Sequence, residues 1–310
     1  MIRRTSKFFA HIMERWLPDA FVIAIIITFI VLITGVTTQD YSPTHMVRLW
    51  GDGVWDLLVF SMQVTITLFT GSVLAQTEAV RGGLKKIASI AKTPEQAIVL
   101  MTMIALICCW ISWGFGLIAS ALMARQIALQ VKGVHYPLLV ASAYSGMLVW
   151  HAGLSASIPL KIAATDDDEL SALLEGNTIP LSETIFSWES LTICLILFVT
   201  LPLVNRLMLP PPAETIEVEP YKININTNPD IKISTPANYV ENHRLPTFLL
   251  GLLGAYYLVD YITYDGAIGL NTINFIFLVA GLLLHQSPAS YLAALSEAVK
   301  GLCGVVLQFP

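Results

Sequence analysis

The chain has 310 residues, 55% of them hydrophobic and only 13% charged, with a formal net charge of −5. Ordinary soluble chains carry roughly 25% charged residues, so this composition excludes a soluble enzyme or a nucleic-acid-binding protein. The apolar residues also fall in blocks of bilayer-spanning length.

At the start, Arg3, Arg4, Lys7 and Arg15 alternate with Phe8, Phe9, Ile12 and Trp16, which predicts an amphipathic helix lying on a membrane surface. Apolar blocks follow at Ala20 to Thr37, Val54 to Ala75, Ala97 to Trp113, Leu117 to Val131, Pro137 to Trp150, Ser187 to Leu209, Leu245 to Ile262 and Leu270 to His285, and a ninth begins at Gly301. With the N-terminus inside and the third and fourth blocks folded into a hairpin that enters and leaves on one side, all but Arg48 and Lys161 of the 17 basic residues fall inside. Inner loops are enriched in Lys and Arg, so this threading is favoured over its inverse. The acidic run Asp166, Asp167, Asp168 and Glu169 then lies in an outer loop, read as solvated rather than as an ion-attracting vestibule. Cys108, Cys109, Cys194 and Cys303 sit inside apolar stretches without metal-ligand spacing, and read as small buried hydrophobes.

Three regions organise the chain: a first membrane half over 1–209, a polar linker over 210–244 opened by Pro210, Pro211 and Pro212, and a second membrane segment over 245–310. Sliding the sequence on itself places Pro43 on Pro288, Asp52 on Glu297, Val54 on Val299, Leu57 on Leu302 and Gln63 on Gln308. In the threading above the two copies run in opposite senses, which predicts inverted repeats; a chance match of amphipathic patterns is the alternative. From Gly301 to Pro310 the second copy covers about half of the roughly 30 Å hydrocarbon core. The expectation is therefore an all-helical multi-span bundle whose second repeat is incomplete, a piece of a longer protein.

Two places interrupt the apolar pattern at membrane depth. Ser112-Trp113-Gly114-Phe115-Gly116 predicts the tip of a re-entrant hairpin lining a cavity, against a plain external turn between two full spans. Trp150-His151-Ala152-Gly153-Leu154-Ser155-Ala156-Ser157-Ile158-Pro159 predicts a broken helix, whose freed amides and dipole ends suit a carboxylate without a buried lysine. The candidate substrate-binding residues are thus Trp113, Gly114, Phe115, Gly116, His151, Gly153, Ser155 and Ser157, with Gln63 added from the second block. His151 reads equally as a structural or interfacial histidine, and the threonines below Gln63 (Thr65, Thr67, Thr70) more often bond their own backbone. His151 and Ser155, four apart, could form a hydrolytic pair. No nucleophile elbow or orienting acid accompanies them, so catalysis is not expected.

With these residues in view, the chain resembles the AtoE-type short-chain fatty acid transporter family, within the ion transporter superfamily of inverted-repeat carriers. The resemblance rests on Arg15-Trp16-Leu17-Pro18-Asp19, Met46-Val47 with Trp50-Gly51-Asp52-Gly53, Ala91-Lys92-Thr93-Pro94, Trp113-Gly114-Phe115-Gly116-Leu117, Tyr136-Pro137-Leu138-Leu139, Gly153-Leu154-Ser155 with Ser157-Ile158-Pro159-Leu160, and Ala280-Gly281-Leu282-Leu283-Leu284-His285. It implies secondary transport of acetoacetate or butyrate across the bacterial inner membrane, without a cofactor, coupled to H+ or Na+. It also implies further helices, including a second Gly-rich segment, after Pro310. Another small organic anion, or a channel, is the alternative function. The partners expected are a short-chain carboxylate and the lipid bilayer, with no nucleic acid, and a homodimer is left open.

Overall fold

A computed structural model describes residues 2–39, 41–56, 58–164, 174–218, 235–264, 266 and 268–300. Every regular element among them is helical: α1 (Ile2–Trp16), α2 (Ala20–Thr38), α3 (Pro43–Asp56), α4 (Leu58–Ala75), α5 (Glu78–Ala88), α6 (Pro94–Ile111), α7 (Trp113–Gln130), α8 (Tyr136–Tyr144), α9 (Ser157–Ala164), α10 (Trp188–Leu207), α11 (Pro236–Asn242), α12 (Leu245–Tyr264), α13 (Leu270–Leu284) and α14 (Pro288–Val299), with a 3₁₀ run over Ser145–Ala152. Six membrane-length apolar stretches are found among the described residues, one of them the combined run Tyr136–Ala164. The outer acidic run, the ninth apolar block, Cys303 and the middle of the linker lie outside the described residues.

Local chemistry sets the ends of the helices. Thr93 accepts the amide of Gln96 and is followed by Pro94, and Ser287 accepts the amide of Ser290 and is followed by Pro288. Both are N-caps with proline in the first turn, where a missing N–H costs nothing. Helix α2 has no buried residue along its whole length, so lipid is the solvent that suits it. The main core is different: Ala75, Ala88, Ala97, Ala105, Ala119 and Ala124 pack together where α4 to α7 meet. Small side chains let helix backbones approach closely, which is how packing holds membrane helices together without a hydrophobic drive between them.

The polar ends gather on one face. Lys7 of α1 pairs with Glu214 at 2.6 Å, Arg3 donates to the Leu207 carbonyl at 3.4 Å, and Gly133 donates to Glu217 at 3.1 Å. The Lys7 ammonium holds the Glu214 carboxyl below the usual carboxylate range, although the pair is exposed and worth little. On the same face Gln286 donates to Glu78, and Arg244 donates to the Leu283 carbonyl at 3.2 Å. At the other end of the bundle the Ile179 amide meets the Ile162 carbonyl, and the Lys161 ammonium lies over the Phe60 ring.

Helices α4 and α13 run side by side in the same direction, with Gln63 beside Asn271, Thr67 beside Asn274 and Val73 beside Gly281. The shift that matched Pro43 with Pro288 also superimposes the starts of α3 and α14 and lays α1 on α12 and α2 on α13. Three successive helices therefore recur in order.

Candidate functional site at the hairpin tip

The reversal between α6 and α7 is tight and takes a single residue, Ser112, rather than a non-helical stretch over Ser112 to Gly116. Ser112 is extended (φ −157, ψ 123) and serves both helices: its amide closes α6 on Cys108, and its hydroxyl and carbonyl accept the amides of Phe115 and Gly116 in α7. Trp113 to Gly116 therefore form the first turn of α7 and are not a non-helical loop. Their glycines serve close approach instead. A Cβ on Gly114 would stand 2.5 Å from the Thr67 carbonyl oxygen, one on Gly71 2.3 Å from the Phe115 nitrogen, and one on Gly116 2.5 Å from the Cys109 sulfur.

The broken helix starts earlier than the sequence suggested. After Tyr144 the chain tightens into the 3₁₀ run, because Gly146 presses against the Ala105 carbonyl, 2.4 Å from where its Cβ would stand, and Asn205 donates to Ser145 at 3.2 Å and Thr102 at 3.0 Å. Gly153 is then extended, and α9 begins at Ser157. The segment between them docks on the hairpin tip. Leu154 donates its amide to the Trp110 carbonyl at 2.8 Å, and Trp113 donates its amide to the Ser155 hydroxyl at 2.9 Å. Helix ends leave backbone groups without intrahelical partners, and here each interrupted helix satisfies the other's. Gly153 is required by this contact, since a Cβ there would lie 2.1 Å from the Trp110 carbonyl oxygen.

Around this junction the predicted residues are placed unequally. Trp113 is buried with its ring edge-on to that of Trp150, their centres 6.0 Å apart, Ser155 is fully buried, and Ser157 is buried at the head of α9. Phe115 is half-buried, its ring 6.0 Å from Phe277 of α13 and beside Leu160 of α9. His151 is exposed and meets the Trp150 ring edge to face, with ring centres 4.0 Å apart. Gln63 is not at the tip itself but one turn along α4 from Thr67, whose carbonyl touches Gly114.

Sequence reasoning missed the partners of Gln63. Its Nε2 donates to Asn271 Oδ1 at 3.1 Å, Asn274 Nδ2 donates to the Gln63 carbonyl at 3.0 Å, and Thr67 donates to Asn274 Oδ1 at 2.7 Å. The signal was present, since two asparagines within an apolar membrane block are functional candidates by default. The resulting seam offers amides and hydroxyls without a formal charge on α4 or α13. Beside it, a cavity of about 470 Å³ opens between α12 and α13, lined by Tyr257, Tyr261, Gly269, Asn271, Thr272 and Phe275. Among the described residues no cluster of His, Cys, Asp and Glu of metal-binding size occurs.

Six apolar membrane-length stretches around an interior of interrupted helices and satisfied amides define a multi-pass helical membrane protein. The sequence profile of the family described as "Short chain fatty acid transporter" matches residues 1–310, and the chain belongs to that family, whose members are transporters and not enzymes. Two relatives, from Escherichia coli (strain K12) and Haemophilus influenzae (strain ATCC 51907 / DSM 11121 / KW20 / Rd), each carry the name "Putative short-chain fatty acid transporter". Each is 37% identical over an alignment that covers all of this chain and 71% of the relative. No solved structure matches the chain.

Proposed function

We propose that this transporter lies in the inner membrane with its N-terminus in the cytoplasm, and binds a short-chain carboxylate where the hairpin tip, the break at Gly153 to Ser157 and the α4–α13 seam converge. The observation that carries this reading is the height at which the tip meets α4. Gly114 touches Thr67, eight residues before Ala75, which is about 12 Å along a helix about 27 Å long. A tip at mid-height on a spanning helix is re-entrant. Backbone interrupted at that depth is tolerated in protein or beside a water-filled path, which is where a carrier keeps its site.

Polar groups for the head of the substrate come from Gln63, Asn271, Asn274 and the first turn of α7, and Phe115, Phe277 and Leu154 form the apolar wall for a short tail. Trp113, Gly114, Gly116, Gly153 and Ser155 shape that wall through their backbone contacts, while Ser157 and His151 stand at its edge. An H+ or Na+ gradient supplies the driving force. Counterflow of labelled acetoacetate or butyrate in proteoliposomes tests the reading: exchange accelerated by unlabelled substrate on the far side is expected, and flux that merely follows the gradient would identify a channel.

A further inference from the structure

The seam between α4 and α13 contains one acceptor that none of the described residues satisfies. Gln63 Oε1 is shut off from solvent and has no hydrogen-bond partner, whereas the amide nitrogen on the same carbon is bonded to Asn271. A buried acceptor without a donor costs about 1–3 kcal/mol, so it marks a place where a donor is expected to arrive. A carboxylate cannot be that donor, because the ionised group only accepts. A carboxylic acid can, since it offers one O–H to donate and one carbonyl to accept.

We infer that the seam binds the substrate as the protonated acid, its O–H donating to Gln63 Oε1 and its carbonyl accepting from the Asn271 amide, so that the coupling proton travels on the substrate itself. This deepens the reading above and rests on it. The balance is simple: a carboxylate and one proton from the entry side combine into the neutral acid, cross together, and separate on the far side. No titratable side chain has to relay the proton. Helices α4 and α13 carry no Asp, Glu, His, Lys or Arg, and neither does the hairpin tip. The charged groups and histidines on elements packed against them are His45, Arg48, Asp52 and Asp56 on α3, Glu78, Arg81, Lys85 and Lys86 on α5, Arg125 on α7, Lys161 on α9, Asp260 on α12 and Glu297 on α14, with His285 just past the end of α13, its imidazole bonded to the Val73 carbonyl of α4 at 3.0 Å. Of these, Lys161 stands near the outer end of the seam, its ammonium 4.7 Å from the centre of the Phe60 ring, one turn before Gln63. It favours arrival of the anion at the mouth, and the uncharged seam below favours the acid.

Two uncharged or permanently charged mimics separate the chemistries. Butyramide presents a donor and an acceptor at every pH, and 1-propanesulfonate is an anion at every pH. With the purified protein and labelled butyrate, butyramide should displace the label equally well at about pH 6 and pH 8, and propanesulfonate should not displace it. Butyrate's own affinity should fall about tenfold per pH unit over that range, because the acid fraction does. Gln63→Leu and Asn271→Leu should each weaken butyramide binding about three- to tenfold, the usual worth of one neutral hydrogen bond. The wild-type selectivity is read without any variant, so a variant that misfolds does not obscure the result. Displacement by propanesulfonate with a flat pH profile would show the amide pair presenting N–H to an anion; it would overturn the inference and leave the carrier reading standing. Failure of the wild-type protein to bind butyrate at all would overturn both.

Discussion

The backbone amide of Trp113 donates to the hydroxyl of Ser155 at 2.9 Å, joining the first residue of α7 to the break before α9. The bond is buried, and it converts two interruptions that are far apart in sequence into one rigid unit. Ser155→Ala should leave the Trp113 amide without a partner at a cost of about 1–3 kcal/mol. A lowered melting temperature in detergent together with reduced butyrate uptake is expected, with membrane insertion retained; unchanged uptake would remove the junction from the transport pathway.

Gly71 and Gly114 are placed where α4 and the tip touch backbone to backbone. Gly71→Ala and Gly114→Ala should each force the tip off α4 and abolish uptake, because backbone atoms cannot give way as a flexible side chain can. Gly82 in α5 is the control, with nothing within 4 Å of its Cβ position. Gly82→Ala should preserve uptake and stabilise by up to about 1 kcal/mol through helix propensity.

Phe115 and Phe277 face each other, ring centres 6.0 Å apart, at what is proposed above as the apolar end of the site. Phe115→Ala should open room for a longer tail, and each additional CH₂ buried contributes about 0.8 kcal/mol. Competition by acids of increasing length should then peak one or two carbons later than in the wild-type protein. An unchanged peak would place the tail elsewhere.

His135, between α7 and α8, accepts the Ile216 amide on Nδ1 at 3.0 Å, and Tyr136 donates to the Ile216 carbonyl. Partial burial and, secondarily, the Lys7 charge hold this imidazole below its ordinary value. The unfolded chain takes up the proton first as the pH falls, so the clasp contributes fully above about pH 6.5 and is lost progressively below it. Hydrogen exchange at the Ile216 amide, corrected for its intrinsic rate, should accelerate as the pH drops from about 8 to 5.

A re-entrant hairpin returns to the side it left. Cysteines introduced at Lys92 and Lys132 should both react with a membrane-impermeant thiol reagent applied from the N-terminal side, and from that side only. Cys108, Cys109 and Cys194 are buried and should contribute little background. Labelling of the two positions from opposite sides would exclude the hairpin.

Composition and spacing alone determined that the chain is a helical membrane protein, where its long apolar blocks lie and near which residues the helices end, although the second break begins earlier, at Ser145. Those properties are local: hydropathy over about 20 residues sets a span, and Ser, Thr and Pro at its start set its first turn. The motifs at Trp113 to Gly116 and at Gly153 to Ser155 were legible for the same reason. Their meaning was not. The glycines suggested conformational freedom for a tight non-helical reversal, and only the packed structure showed backbone contacts to Thr67, Cys109 and Trp110 in their place, since a missing Cβ is equally consistent with freedom and with crowding. Asn271 and Asn274 stood in plain view but remote from Gln63 in sequence. Tertiary structure alone set α13 alongside α4, and so decided which amide found a partner and which carbonyl oxygen was left without one.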